Sequence, residues 1–200
     1  MSDDGSSLTG ELARTLTKQG WLVVVISFLP FLTSKSSLPP EVNRVVIEDC
    51  NEAQLEQQLT AIAKKYGSIG AMIHLHPLFQ NSEKEHDLLK QVFFMAKHLK
   101  NHLNKAAQQG DSCFFTIAHL DGELGTGGKT EFSAVTGGLF GLTKALRWEW
   151  QSVFCRAIDL SPDLDVATSV RHILDELYDP NRLIAEVGYS SEGRSTLVQG

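Results

Sequence analysis

The chain has 200 residues, of which 42% are hydrophobic and 21% charged, with a net charge of −6. This length fits one domain or at most two small ones, and the acidic balance speaks against nonspecific binding to nucleic acid or an anionic membrane. No apolar run reaches the roughly 20 residues of a membrane span, and the opening MSDDGSSLTG is acidic and polar, unlike a signal peptide.

In chain order, a helix is predicted from Leu8 to Gln19, closed by Gly20. WLVVVISF (21–28) is a continuous apolar run, the pattern of a strand buried on both faces in a parallel sheet. The Ser/Pro-rich stretch 30–43 reads as the most mobile loop, and RVVIED (44–49) as the next strand. Residues 51–67 form a helix with Asn51 as N-cap and Leu55, Leu59, Ile62 and Ala63 on one face. GAMIHLH (70–76) is a strand, residues 82–109 a long helix, and SCFFTIAHL (112–120) a strand. The Gly-rich loop 121–130 contains GTGG at 125–128, a weak phosphate-loop signal that reads better as a flexible connection. A helix over 133–151, a strand over 154–160, a helix over 165–178 and a strand over 182–189 follow, with a closing hairpin turning at Ser190 and Gly193.

This alternation implies an α/β fold, a Rossmann-like open parallel sheet with helices on both faces. Such a unit starts with a strand before its first Gly-rich turn. Here the turn SDDGSSLTG stands at the N-terminus, so the fold is expected to be cut at its first strand. The glycines of the 133–151 helix, Gly137, Gly138 and Gly141, each cost up to about 1 kcal/mol against alanine and suggest close approach to another backbone. Trp148 and Trp150 lie two apart, so they point to different faces.

Three cysteines, Cys50, Cys113 and Cys155, form no CxxC pair and read as core thiols of a reducing, cytoplasmic compartment. His98 and His102 are i, i+4 on a helix, and His74 and His76 share a strand face. Neither pair has the converging third and fourth ligands of a zinc site, and residue 99 is leucine where a metalloprotease motif has glutamate. No metal is expected.

The element order resembles the short-chain dehydrogenase/reductase fold over nearly the whole chain. More narrowly, SDDGSSLTGELARTLTKQGWLVVVI, GAMIHLHP, GGLFGLTKALRWEW followed by FCRAIDL, and EVGYSSEGRSTLV resemble one half of a polyketide-synthase ketoreductase, in the version found in bacterial polyunsaturated fatty acid synthases. Such ketoreductases have two Rossmann-like halves, a degenerate structural one and a catalytic one that binds NADPH. The resemblance implies that residues 1–200 are the first half, a structural subdomain of a longer multidomain chain. Its partners would be the catalytic subdomain that follows and the acyl carrier proteins of the synthase, with no role for nucleic acid or membrane. The parent reaction would be reduction of a 3-ketoacyl group by NADPH.

The family's chemistry needs a tyrosine that donates a proton and a lysine four residues later that lowers the tyrosine pKa. The matching places hold Phe132 and Thr136, and the serine position falls near His119. The three tyrosines, Tyr66, Tyr178 and Tyr189, are followed four residues on by Gly70, Arg182 and Gly193, so no Tyr-x-x-x-Lys exists in any register. The glycine turn keeps Gly5 but has Ser7 and Thr9 where later glycines are expected, and Asp3 and Asp4 place negative charge where phosphates would sit. Asp49 matches a position that touches adenine in the family, and it also suits the approach to a helix cap. The expectation is a segment that is no enzyme by itself and binds no cofactor, with Gly5 and Asp49 as vestigial contacts. An atypical active reductase using His119, or a module docking neighbouring synthase domains, are the alternatives.

Overall fold

The structure, a computed structural model, describes residues 1–78, 82–128 and 133–197. The first helix, α1 (Ser7–Lys18), begins at Ser6, whose Oγ accepts from Leu8 N. Strands β1 (Val24–Phe28) and β2 (Asn43–Ile47) pair in parallel and are joined through a single 3-10 turn and the loop after it. Helix α2 (Glu52–Tyr66) is capped by Asn51, as its sequence predicts, and ends at Gly67. Then come β3 (Ala71–Leu75), α3 (Ser82–Ala107), β4 (Cys113–Ala118), α4 (Ala134–Glu149), β5 (Phe154–Leu160) and α5 (Val166–Leu177). The hairpin of β6 (Glu186–Ser190) and β7 (Gly193–Ser195) closes the chain, with Ser190 opposite Gly193.

Strands β3, β4, β5 and β6 are parallel neighbours in that order, and β7 runs antiparallel at the edge. Residues 1–3 lie between this sheet and the β1–β2 pair. Asp3 N donates to Ile26 O at 2.8 Å, Ile26 N to Met1 O at 2.9 Å, and Ser2 N to Ile73 O at 2.9 Å. Residues 1–3 therefore stand in the first-strand position and bridge the two sheets. Met1, Trp21, Val23, Ile26, Ile69 and Ile73 help line an apolar cavity of about 270 Å³.

Helices α2, α3 and α4 cover one face over Phe28, Ile47, Phe114 and Cys155; α1 and α5 cover the other over Phe115, Ile158 and Val187. Every residue of β4 and β5 is buried, which is why both read as unbroken strand runs. Trp150 is buried edge-on to Phe114, whereas Trp148 is exposed. Cys113 and Cys155 are buried free thiols, pushed up to about 12 chiefly by burial, and Cys50 is half-buried. The α4 glycines are not explained by close backbone approach. A Cβ on Gly137 or Gly141 would meet nothing within 4 Å, and one on Gly138 would meet only the Leu89 side chain. Among the described residues, no helix is long and apolar enough to cross a membrane.

Candidate functional site

In a parallel α/β sheet the ligand crevice lies at the carboxyl ends of the strands, above the turn that enters the first helix. Here that turn folds onto its own side chains. Gly5, at φ +78°, starts it, and Gly5 N donates to Asp3 Oδ1 at 2.9 Å. Ser6 N donates to Asp4 Oδ1 at 3.0 Å, and the hydroxyls of Ser6 and Thr9 donate to the same carboxylate. Backbone amides that could cradle a phosphate are thus taken by two carboxylates of the chain.

The loop after β1 closes over this turn. Ser34 Oγ donates to Gly5 O at 2.8 Å. A Cβ on Gly5 would stand 2.8 Å from Ser34 O, and one on Gly10 would stand 2.2 Å from Ser37 O. These glycines make room for the chain's own loop. Arg44 of β2 ties the arrangement together by pairing with Asp3 and donating to Ser36 O and, at 2.6 Å, to Ser27 Oγ. Burial opposes ionisation of Asp3. Hydrogen bonds from Ser27, Gly5 N and Ser36, with the Arg44 charge, outweigh it and hold the carboxyl below its usual range. Stretch 30–43, expected to be the most mobile loop, is instead anchored by Ser34, Ser36 and the buried Phe31.

Of the residues singled out by resemblance, Phe132 lies outside the described residues. Thr136 is buried in the first turn of α4, and its hydroxyl donates to Glu85 Oε1 at 2.7 Å. His119 follows β4 with Nδ1 3.1 Å from Leu160 O; burial lowers its pKa and favours neutral imidazole, against the opposing effect of that carbonyl. Asp49 is exposed, and its N–H donates to Gln54 Oε1 at 3.0 Å on the way into α2. The carboxylate of Asp49 is not drawn into the glycine turn.

Two polar clusters escaped the sequence reading. The first runs from Thr136 through Glu85 to His76, His74 and Ser2. His76 Nε2 is 3.3 Å from Glu85 Oε1, His74 Nε2 is 3.2 Å from His76 Nδ1, and Ser2 Oγ is 2.8 Å from His74 Nδ1. A signal existed in Glu85, which stands three residues before Leu88 and seven before Val92, on the apolar stripe of α3. The second cluster organises the loop after β4. Asp121 accepts from the amides of Glu123, Gly125 and Gly127, each at 2.8 Å, and Asp159 from Leu120 N at 2.7 Å and Leu124 N at 2.9 Å. The Gly-rich segment read as a flexible connection is therefore a nest wrapped around two buried carboxyls. Burial, with Asp121 alongside, pushes Asp159 up to about 6.

His98 pairs with Glu52 at 2.8 Å. Among the described residues no three His, Cys, Asp or Glu side chains are grouped to hold a metal ion.

No known protein-family profile matches the chain, and no curated protein is detectably similar in sequence. Solved structures are similar in fold. An apo SCOR enzyme from Clostridium thermocellum superposes with a TM-score of 0.66 at 11% identity, over 90% of this chain and 85% of that one. Serine dehydrogenase from Escherichia coli gives 0.61 at 13% identity, over 90% of each chain. A 3-ketoacyl-(acyl-carrier-protein) reductase from Brucella melitensis, solved with NADH, gives 0.59 at 18% identity over 80% of this chain and 73% of that one.

The fold is that of the short-chain dehydrogenases/reductases.

This corrects the expectation that the segment is no enzyme. The solved structures it matches in fold are an enzyme, a dehydrogenase and a reductase, so the likeness gives the expectation no support. The missing Tyr-x-x-x-Lys is a property of the sequence and stands beside that finding.

Proposed function

We propose that the chain is the first half of an NADPH-dependent 3-ketoacyl reductase in a polyketide or polyunsaturated fatty acid synthase. There it would hold and orient the half that carries the tyrosine and lysine. The reductase class is supported by the fold, and the ketoacyl substrate by the motifs quoted above and the similarity to a 3-ketoacyl-(acyl-carrier-protein) reductase. The acyl chain would be presented on a carrier protein, and NADPH would sit in the second half.

One observation carries this division of labour. The dinucleotide turn of this half is filled by Asp3 and Asp4 and covered by the loop that bears Ser34 and Ser37. A pyrophosphate does not fit that turn, because it would meet two carboxylates and two carbonyl oxygens in place of free amides.

The test is to express the catalytic half alone, and joined to residues 1–200, and to follow NADPH oxidation with a 3-ketoacyl thioester. The joined protein should be the more active and should unfold at a higher temperature. Equal activity and stability of the catalytic half alone would contradict the proposal.

A further inference from the structure

The chain of buried groups from Ser2 to Thr136 has a direction, and the direction follows from hydrogen-bond bookkeeping. Ionised Glu85 can only accept. Its Oε1 accepts from Thr136 Oγ1, so the neighbouring His76 Nε2 must carry a proton and donate. In the neutral imidazole His76 Nδ1 is then an acceptor, which requires His74 Nε2 to donate across 3.2 Å. His74 Nδ1 in turn accepts from Ser2 Oγ at 2.8 Å, and that oxygen accepts from Leu75 N at 3.0 Å. Every donor points toward Glu85.

The opposite direction is also geometrically complete. A protonated Glu85 would donate to His76 Nε2, His76 Nδ1 would donate to His74 Nε2, and His74 Nδ1 would donate to Ser2 Oγ. The Ser2 hydroxyl would then turn to Leu75 O, 3.4 Å away. The two states differ by one proton, which enters at the Ser2 oxygen and appears on Glu85 as each hydrogen-bonded proton moves one place.

We propose that Ser2, His74, His76 and Glu85 form a one-proton reversible hydrogen-bond wire, which reports the charge of Glu85, beside the first turn of α4, to the extended segment 1–3 between the two sheets.

The groups are positioned for this. Ser2, His74, His76, Glu85 and Thr136 are all buried, so bulk water does not compete for the bonds. Glu85 Oε2 is buried and has no hydrogen-bond partner, so the carboxyl's contact with the wire runs through Oε1. Burial opposes ionisation of Glu85, but bonds from His76, Ser133 and Thr136 outweigh it and hold the carboxyl at about 2. Among the described residues, the Met1 amine also acts electrostatically on His74, and His119 lies within the electrostatic reach of His76 and Asp4. The inference is independent of the proposed function, since it needs neither a parent chain nor a cofactor.

Nuclear magnetic resonance of histidine labelled with ¹⁵N and ¹³C reads each tautomer directly. At neutral pH both His74 and His76 should be neutral with the proton on Nε2. In Glu85→Gln, which removes the charge and keeps the shape, both should move toward the Nδ1–H tautomer together. The milder Thr136→Val removes one bond that keeps Glu85 ionised, so the acid-side reversal should shift to higher pH. An Nδ1–H tautomer or an imidazolium at either position in the unaltered protein would overturn the proposal, and that spectrum decides even if Glu85→Gln does not fold. A Glu85→Gln spectrum in which His76 changes alone, or neither changes, would overturn it as well, as would an unshifted reversal in Thr136→Val.

Discussion

Asp3 and Arg44, 41 residues apart in sequence, form an ion pair that fastens the glycine turn to β2 and to the loop above it. The Asp3 side chain is fully buried and that of Arg44 is 18% exposed. The pair also supplies the acceptor for Gly5 N and Ser27 Oγ.

Asp3→Ala should therefore cost about 3 kcal/mol, the range for removing one partner of a buried pair and leaving the other charge behind. Urea denaturation checks it. The Asp3 carboxyl lies below its ordinary value in the folded state, so its contribution is present above about pH 4 and is lost as pH falls through the folded value.

Glycine substitutions should split in sign. Gly122 sits at φ +75°, and a Cβ there would stand 2.1 Å from Tyr189 O, so Gly122→Ala should destabilise by about 2 kcal/mol or more. Gly141 is an exposed helical residue with nothing within 4 Å of its Cβ position, so Gly141→Ala should stabilise by about 0.5–1 kcal/mol. Thermal unfolding of the two variants distinguishes them.

The closing hairpin should depend on Glu176. Its buried carboxylate pairs with Arg156, takes Arg194 Nε at 2.6 Å and accepts the Tyr189 hydroxyl at 2.5 Å. Glu176→Ala leaves Arg156 buried with only Asp179 as an acidic partner and should cost about 3–5 kcal/mol. Tyr189→Phe removes one hydrogen bond and should cost about 1–3 kcal/mol. Hydrogen exchange at β6 should speed up in both variants, more in the first.

Asp159 and His74 should contribute to the pH dependence of stability with opposite signs. Asp159 is raised in the fold, so its stabilising state is complete below about pH 4 and is lost as pH rises through about 6. His74 is lowered in the fold, chiefly by burial, so its contribution is present above about pH 6.5 and is lost as pH falls below it. Asp159→Asn should flatten the alkaline side by about 1.4 kcal/mol between pH 5 and pH 8, the one pKa unit from pH 5 to about 6, measured as urea midpoints at those two pH values.

The alternating elements were legible because the strands of this sheet are buried on both faces and the helices carry recognisable caps. Ser6 and Asn51 accept from their helix amides, and β5 spans the residues that its apolar run marks. The absence of a tyrosine–lysine pair is equally a matter of reading residues. What the sequence hid is long-range. Gly5 and Gly10 look like remnants of a phosphate turn until Ser34 and Ser37 are seen against them. GTGG looks flexible until Asp121 is seen at its centre. Arg156 and Asp159 were visible inside an apolar strand, but their partners Glu176, Leu120 and Leu124 lie 20 or more residues away.

The most direct test of the proposed function is the number of NADPH molecules bound by residues 1–200 joined to the proposed catalytic half, measured by isothermal calorimetry. One per polypeptide, held by the catalytic half, is expected. Two per polypeptide, or none, would contradict it.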